Sequence, residues 1–265
     1  MSPSPNIVIF SDLDGCLLNK QDYSFAPAKS TLQRIRESQI PLVLASSKTV
    51  VEMRRLAEEM ELADAPLICE NGGAIFWTNQ DTPDSVPTVL GVDRSQILEV
   101  LDTLKSTFKF ESFRDLGVQG VMRATDLSEV KSKAALERAS TEPLLWHDEA
   151  DRIEDFRQQL SARDLTLTRG GRFWHVAGST TKGSAMQRVT DQLYKSLATQ
   201  PTTLAIGDSP IDQSMLDIAD YPIGVPWPDG VVHVTTKGHN GVTASLAGAS
   251  GWAEAVTKVL DSLTI

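Results

Sequence analysis

The sequence predicts an α/β protein with a doubly wound, Rossmann-like parallel sheet as its core and an inserted α+β cap domain. Apolar β-branched segments alternate with amphipathic helical segments in the first part of the chain, and this alternation returns after residue 180. Such alternation is typical of a parallel sheet covered by helices on both faces. A polar, proline-containing segment at 78–87 interrupts it. We therefore expect a core of residues 1–82 and 180–265, and an insertion of residues 83–179.

The core elements follow from composition and periodicity. Buried strands are predicted at 6–10, 41–46 and 65–72, and helices at 26–39 and 49–62. After the insertion, the pattern predicts a helix at 182–197, a strand at 202–208, and short elements at 222–225 and 233–235. Within the insertion, helical patterns at 95–108 and 126–140 are mixed with strand-like segments at 142–148 and 165–178, which is typical of an α+β domain.

Charge and composition exclude several classes of protein. The formal net charge is -10, and no clustered basic face is evident, which argues against a nucleic-acid partner. No segment approaches the ~18 apolar residues that a membrane span needs. The two cysteines, Cys16 and Cys69, lack metal-ligand spacing and indicate free thiols in a reducing compartment. These features predict a cytoplasmic protein without a membrane partner.

Two carboxylates end the first predicted strand. Asp12 and Asp14 follow the apolar run at 7–10, and residues two apart in an extended segment point to the same side. Carboxyl ends of parallel strands are where ligands bind, and two such carboxylates suit Mg²⁺. A solvated turn is the alternative for an isolated Asp-x-Asp pair. A calcium loop would need further oxygen ligands, whereas apolar residues follow here.

Four more polar residues occupy corresponding positions. Asp208 ends the predicted strand at 202–208, and Asp212 lies four positions further on. Ser46 ends another strand, and Lys182 begins a helix. Each alone could be a helix cap or a surface residue. Together, at strand exits and a helix start, they predict one polar site.

The order of these motifs resembles the haloacid dehalogenase superfamily of phosphotransferases. The matching residues are Asp12-Leu13-Asp14-Gly15, then Ser46, then Lys182, then Gly207-Asp208-x-x-x-Asp212. The insertion resembles the cap of the sugar-phosphatase branch. More narrowly, the segments SSKT, ICENGGAI, TEPLLWHD, RGGRFWHVAG and GDSPID resemble phosphatases that act on mannosyl- and glucosyl-3-phosphoglycerate.

The resemblance implies a catalytic role for each motif. Asp12 would be the nucleophile that forms an aspartyl-phosphate, and Asp14 would protonate the leaving oxygen and then activate water. Ser46 would hydrogen-bond a phosphoryl oxygen, and Lys182 would supply a positive charge. The implied cofactor is Mg²⁺, held by Asp12, the main-chain carbonyl of Asp14 and Asp208, with Asp212 orienting Lys182 or a metal-bound water.

Substrate recognition is expected outside these motifs. The resemblance makes Arg172 and His175 candidates for the glycerate group, with Arg169 able to share a carboxylate. Lys48 and Asn71, at core strand ends, are similar candidates. The alternatives are a hairpin turn with solvated arginines, a half-buried histidine, and a simple turn at Asn71.

Two departures from the family pattern leave other functions open. Ile211 replaces the usual Asn of GDSPND, and Cys16 replaces the usual Thr of DLDGT. The expected function is Mg²⁺-dependent hydrolysis of a phosphorylated sugar-glycerate. A broader sugar phosphatase, acting on sucrose phosphate or hexose phosphate, and a weakly active sugar-phosphate binding protein are the alternatives.

Overall fold

The computed structural model describes residues 6–78, 86–170, 172–196 and 199–265. Its strands are β1 (Ile7–Ser11), β2 (Leu42–Ala45), β3 (Leu67–Cys69), β4 (Ala74–Phe76), β5 (Thr88–Val89), β6 (Phe110–Ser112), β7 (Thr141–Trp146), β8 (Thr166–Arg169), β9 (Trp174–Ala177), β10 (Thr202–Gly207), β11 (Tyr221–Gly224) and β12 (Val242–Thr243). Its helices are α1 (Lys29–Glu37), α2 (Val50–Glu59), α3 (Arg94–Leu104), α4 (Phe113–Thr125), α5 (Glu129–Leu136), α6 (Arg152–Ser161), α7 (Lys182–Leu193), α8 (Gln213–Leu216) and α9 (Gly248–Ser262).

The larger sheet has eight strands in the order β12-β11-β10-β1-β2-β3-β4-β5. The six strands from β12 to β3 are parallel, and β4 and β5 are antiparallel additions at one edge. Strand β1 lies between β10 and β2, although β10 is far away in sequence. The predicted α/β class with a mainly parallel sheet is confirmed.

Helices cover both faces of this sheet, as alternate residues of β1 show. Ile7 and Ile9 pack in the apolar cluster that includes Trp252 of α9. Val8 and Phe10 point the other way and pack in the cluster with helix α7. Every residue of β1 is buried. A strand buried on both faces accounts for the continuous apolar run in its sequence, and each large side chain so buried contributes roughly 1.5–3 kcal/mol.

The smaller sheet is antiparallel, in the order β6-β7-β9-β8. One of its faces packs Leu144 and Val176 against helices α3 and α6, through Leu101 and Phe156. Because side chains alternate along a strand, His175 lies on the opposite face. All four strands fall between residues 83 and 179, whereas β5, at 88–89, pairs with β4 of the larger sheet. The predicted boundary at 82/83 lies outside the described residues, as does most of the predicted linker at 78–87.

Several elements differ from the sequence-based expectation. Residues 233–235 form neither a helix nor a strand, and the last strand lies instead at Val242–Thr243, so that prediction is wrong. Helices α4, α6 and α9 were not predicted. Helix α4 contains Gly117 in the left-handed region, with φ 57°, which breaks its periodicity. Helix α6 buries only Phe156 and Leu160. Among the described helices, none has the length and apolar character that crossing a membrane requires.

Candidate active site

The carboxyl end of β1 is the centre of the site. The Asp12 amide donates a 2.9 Å hydrogen bond to the Ile206 carbonyl, which continues the pairing with β10 beyond the end of β1. Ser11 is in register with Ile206 on one side and with Leu44 on the other. The structure therefore brings the ends of β1, β10 and β2 to one edge of the sheet, and Asp12, Asp208 and Ser46 follow these strands.

Lys182 joins two of the aspartates. Its Nζ lies 2.5 Å from Asp12 Oδ1 and 2.6 Å from Asp212 Oδ1, and the residue is only 2% exposed. Thr181 caps helix α7 through a 3.1 Å bond from the Ser184 amide, so Lys182 is the first residue of the helix. A cation is disfavoured at a helix N-terminus. The two carboxylates compensate for this position.

The loop after β10 fixes Asp212. Asp212 Oδ2 accepts hydrogen bonds from the Ser209 amide at 3.0 Å and hydroxyl at 2.8 Å, and from the Asp208 amide at 3.2 Å. A Cβ at Gly207 would lie 2.3 Å from the Asp212 Cβ, so this position has room only for glycine. The segment GDSPID thus folds as a tight loop that presents Asp212 Oδ1 to Lys182.

Asp208 has one oxygen that lacks a hydrogen bond. Its Oδ2 is buried and has no hydrogen-bond partner among the described residues, although Lys20 Nζ lies 3.1 Å away. Gly15 has φ +96°, and a Cβ there would lie 2.3 Å from this same oxygen. Trp227 Nε1 donates a 3.0 Å bond to the Asp208 carbonyl, and Lys20 Nζ lies 3.7 Å from the Trp227 ring centre.

Asp14 faces a third lysine. Lys48 Nζ forms an ion pair with Asp14 Oδ2, while Asp14 Oδ1 is buried without a hydrogen-bond partner in the described part of the chain. Burial lowers the pKa of Lys48, but the Asp14 carboxylate outweighs this effect, so the pKa is raised and Lys48 stays protonated. The backbone of Asn71 belongs to the same region, because its amide donates a 2.9 Å bond to the Ser46 carbonyl.

Burial and mutual repulsion set the protonation of the acidic cluster. Burial raises the pKa of Asp12 well above its ordinary value, and nearby carboxylates raise it further, against the opposing charge of Lys182. Burial also raises the pKa of Asp208, and Asp212 adds to this effect. The pKa of Lys182 is raised because the carboxylates of Asp12 and Asp212 outweigh the effect of burial. Lys182 is therefore a permanent cation in this site.

The donor set fits a hard divalent cation. Carboxylate oxygens of Asp12 and Asp208, together with the Cys16 sulfur, lie within 4.8 Å of one another. Hard cations such as Mg²⁺ take oxygen rather than sulfur ligands, so the Cys16 thiol does not suit this ion. Burial and the neighbouring carboxylates raise the pKa of the thiol well above its ordinary value. The carboxylates remain, and the unbonded Asp208 Oδ2 is an oxygen that such a cation could take.

The two arginines of the insertion that were predicted to bind substrate contact other groups of the protein. Arg169 lies over the Trp174 ring, 5.0 Å from its centre. The side chain of Arg172 is 62% exposed, donates a 3.2 Å bond to the Ala124 carbonyl and lies 3.5 Å from Asp126. Arg169 and Arg172 thus contact different protein groups, which fits the hairpin alternative, and a shared grip on a carboxylate stays a prediction. Gly171, between them, lies outside the described residues.

His175 is held neutral. Its ring is half-buried, and its Nδ1 lacks a hydrogen-bond partner among the described residues. Burial lowers the pKa of His175 to about 3, helped by the charges of Arg138 and Arg169. A neutral ring can donate or accept one hydrogen bond at each nitrogen, but it adds no positive charge to a substrate contact.

Sequence reasoning missed four residues near the site. Lys20 and Trp227 contact Asp208, and Glu70 and Arg138 link the insertion to the loop at 46–48. Glu70 lies in the ENGG segment that carries the family resemblance, which was the available signal. The other three stand in segments without a motif, so only the folded chain reveals their positions.

The sequence of the chain matches known proteins. Residues 9–226 match the family model described as haloacid dehalogenase-like hydrolase. A glucosyl-3-phosphoglycerate/mannosyl-3-phosphoglycerate phosphatase from Persephonella marina is 34% identical over 272 residues, covering 97% of this chain and 98% of that protein.

Solved structures share the fold. A haloacid dehalogenase-like hydrolase from Bacteroides thetaiotaomicron has a TM-score of 0.66 at 20% identity, covering 95% of this chain and 98% of that one. One from B. subtilis has a TM-score of 0.63 at 19% identity, covering 97% and 99%. At these identities the likeness concerns the fold alone. The chain belongs to the haloacid dehalogenase-like hydrolase family. Within that family it is a phosphatase, a phosphoric monoester hydrolase.

Proposed function

We propose that the protein hydrolyses a phosphorylated sugar-glycerate, mannosyl- or glucosyl-3-phosphoglycerate, through an aspartyl-phosphate intermediate with Mg²⁺ as cofactor. The observation that carries this proposal is the buried Asp12 carboxylate, bound through Oδ1 by Lys182 at the end of β1 and close to Asp208. The Persephonella marina relative, similar over nearly the whole chain, supplies the substrate class.

In the first step, an oxygen of Asp12 attacks phosphorus and the bond from phosphorus to the leaving oxygen breaks. Asp14 gives its proton to that leaving oxygen. In the second step, Asp14 takes a proton from water, the water oxygen bonds to phosphorus, and the Asp12–phosphorus bond breaks to release phosphate. Lys182 holds Asp12 in place through both steps, and Asp212 holds Lys182.

The residues that would hold Mg²⁺ are Asp12, Asp208 and the main-chain carbonyl of Asp14. When bound, the ion supplies positive charge between the carboxylates and the phosphoryl group. Ser46, after β2, is assigned to a phosphoryl oxygen. Phosphoryl transfer depends mainly on positioning and charge stabilisation, which suits a site built from lysines and carboxylates.

For the leaving group, the geometry favours Lys48 because it pairs with Asp14, the residue assigned to the leaving oxygen. His175 is assigned a hydrogen bond to the substrate through its neutral ring. Asn71, whose amide bonds the Ser46 carbonyl, stays a candidate for a substrate contact. The exposed position of Arg172 and the stacking of Arg169 favour a second candidate, a broader sugar phosphatase acting on sucrose phosphate or hexose phosphates.

We also propose a division into a core, with residues 1–82 and 180–265, and a specificity cap within 83–179. The strand β5, at 88–89, is excluded from the cap because it pairs with β4 in the core sheet. The cytoplasmic location and the absence of a nucleic-acid partner stay predictions. A weakly active binding protein is the less favoured alternative, because Ile211 leaves the contacts of Asp212 with Lys182 and Ser209 in place.

The test is phosphate release from mannosyl- and glucosyl-3-phosphoglycerate, sucrose phosphate and simple hexose phosphates, with Mg²⁺ and with excess chelator. We expect the highest kcat/KM on a sugar-phosphoglycerate and no turnover with chelator, and no turnover by Asp12→Asn. Preference for sucrose phosphate or hexose phosphate would support the second candidate. Full activity in chelator would contradict the mechanism.

A further inference from the structure

A buried carboxylate outside the catalytic cluster contacts the insertion. Glu70 directly follows β3 and is 1% exposed. Its Oε1 accepts a 2.6 Å hydrogen bond from the Ala139 amide, and its Oε2 accepts bonds from the Ser140 amide at 3.2 Å and the Thr141 hydroxyl at 2.5 Å. A buried carboxylate requires such partners. Ala139 and Ser140 immediately precede β7 of the smaller sheet, and Thr141 is the first residue of that strand.

The backbone of the same turn contacts the catalytic loop. The Glu70 amide donates a 3.0 Å hydrogen bond to the Lys48 carbonyl, and the Asn71 amide donates a 2.9 Å bond to the Ser46 carbonyl. Glu70 is therefore bonded through its side chain to the insertion and through its amide to the loop at 46–48.

Arg138 makes a second connection beside the first. Its side chain is 4% exposed, its Nε lies 3.6 Å from Glu70 Oε2, and its Nη2 donates a 2.7 Å bond to the Ser47 carbonyl. The same Nε donates a 2.8 Å bond to the Thr141 hydroxyl. The guanidinium thus neutralises Glu70 and binds the Ser47 carbonyl, in the middle of the loop at 46–48.

The contact has little free space. A Cβ at Gly73 would lie 2.1 Å from the Ser140 hydroxyl oxygen, so this turn packs directly on the segment at 139–141. Displacement of that segment must therefore either move the loop at 46–48 or break buried hydrogen bonds. Unpaired buried groups cost more than the bond itself contributes.

We propose that Glu70 is a positioning residue, which ties residues 138–141 of the insertion to the loop that carries Ser46 and Lys48. A substrate that touches the smaller sheet thereby fixes the loop that contacts its phosphoryl and leaving groups. This role rests on the proposed function. The tie is the set of Glu70 hydrogen bonds that connect residues 139–141 to the loop at 46–48. A substrate too small to reach the smaller sheet gains nothing from it, so the tie contributes to selectivity for the larger substrate.

The test compares Glu70→Gln with a matched control, Glu142→Gln. Glu142 is also fully buried, and it accepts bonds from Arg94 Nε at 2.7 Å and from the Arg114 amide at 2.8 Å, both inside the insertion. The measurement is kcat and KM on the best sugar phosphate of the panel and on p-nitrophenyl phosphate, with the thermal midpoint of each variant.

The relevant ratio is kcat/KM on the sugar phosphate divided by kcat/KM on p-nitrophenyl phosphate. We expect Glu70→Gln to lower this ratio at least tenfold, mainly through a lower kcat on the sugar phosphate. Glu142→Gln should lower the thermal midpoint and leave the ratio unchanged. An equal loss on both substrates for Glu70→Gln, or no loss, would overturn the proposal. If Glu70→Gln does not fold, Arg138→Lys, which keeps the charge but shortens the reach to the Ser47 carbonyl, is measured against the same outcomes.

A second measurement is independent of the assigned activity. Amide hydrogen exchange in a peptide covering residues 44–50 should be at least fivefold faster in Glu70→Gln and unchanged in Glu142→Gln. Unchanged exchange in Glu70→Gln would overturn the tie itself. A wild-type protein inactive on every substrate of the panel would refute the proposed function, while the exchange result would still decide whether the tie exists.

Discussion

Lys182 Nζ and Asp12 Oδ1 lie 2.5 Å apart, although 170 positions separate the two residues in the chain. The insertion and the return of the chain to the core lie between them. Their contact therefore forms only when β1 and helix α7 are packed together. The same ion pair thus contributes both to the charge of the catalytic site and to the stability of the core.

We expect Lys182→Met to lose both activity and stability. The change leaves the buried carboxylates of Asp12 and Asp212 facing each other without a cation. Breaking a buried ion pair in this way costs about 3–5 kcal/mol in the free energy of unfolding, and loss of a transition-state charge contact lowers kcat about 10²–10³-fold. Urea unfolding and steady-state kinetics measure the two effects.

The control is Lys133→Met, which removes an exposed pair with Glu129. Exposed pairs contribute little, so this variant should unfold at nearly the wild-type urea concentration and keep its kcat. Wild-type stability of Lys182→Met would contradict the role of Lys182 as the cation that these buried carboxylates require.

Asp208→Asn should stabilise the metal-free protein at neutral pH. The pKa of Asp208 is raised in the folded chain above the ordinary value of 3.8, so the folded chain holds the proton more tightly than the unfolded chain does. The free energy of unfolding therefore falls as the pH rises from 3.8 to the folded pKa, and stays lower above it. The neutral amide avoids this loss of stability. In chelator, the thermal midpoint of the variant should exceed that of the wild type at pH 7, and the difference should vanish near pH 3.

The same substitution removes a proposed metal ligand. Addition of Mg²⁺ should therefore raise the thermal midpoint of the wild type and leave that of Asp208→Asn unchanged. A variant that is less stable than the wild type in chelator at pH 7 would contradict the charge balance described for this cluster.

Lys20→Met should bind Mg²⁺ more tightly than the wild type. Lys20 Nζ lies 3.1 Å from Asp208 Oδ2, the oxygen without a hydrogen bond, and a divalent ion at that oxygen would have to displace it. Calorimetric titration should show the dissociation constant falling threefold or more. Lys237→Met, which removes a lysine 3.7 Å from Asp217, is the control and should bind as the wild type does.

Much of the fold followed from local pattern, whereas the site followed from motif order. Residues 7–10 and 202–207 are apolar and continuous because β1 and β10 are buried on both faces, so periodicity finds them. Helix α6 buries only Phe156 and Leu160, so a window of ten residues gives a weak signal there. The segment at 233–235 alternates like a strand but has no ladder partner in the described sheet.

The site divides in the same way. Asp12, Lys182 and Asp212 could be predicted from the order of the family motifs, because each alone fits a turn, a helix cap or a surface residue equally well. Lys20 and Arg138 could not, since each acts through a tertiary contact that no local spacing encodes. Arg169 and Arg172 show another limit, because their partners Trp174, Asp126 and the Ala124 carbonyl could not be read from the sequence.

His175 should make the protein acid-sensitive. Its pKa is about 3 in the folded chain against an ordinary value of 6.5, so the unfolded chain takes up a proton first. Stability is therefore complete above pH 6.5 and is lost as the pH falls towards 3, by at most about 1.4 kcal/mol per pH unit. The free energy of unfolding, measured by urea unfolding between pH 7 and pH 4, should fall less steeply with decreasing pH in His175→Gln than in the wild type. Identical slopes would mean that the ring is protonated in the folded protein.

The last prediction separates Arg172 from His175 as substrate contacts. Arg172 is exposed and held near Asp126 and the Ala124 carbonyl, so Arg172→Ala should change kcat/KM on the sugar-phosphoglycerate less than twofold. His175 Nδ1 is buried without a hydrogen-bond partner among the described residues, on the face of the smaller sheet opposite Val176. Loss of one substrate hydrogen bond of about 1 kcal/mol at this nitrogen corresponds to roughly fivefold in kcat/KM. His175→Ala should therefore lose about fivefold on that substrate and nothing on p-nitrophenyl phosphate, which lacks a glycerate. A tenfold loss confined to Arg172→Ala would show instead that the Arg172 side chain leaves Asp126 and closes on the bound substrate.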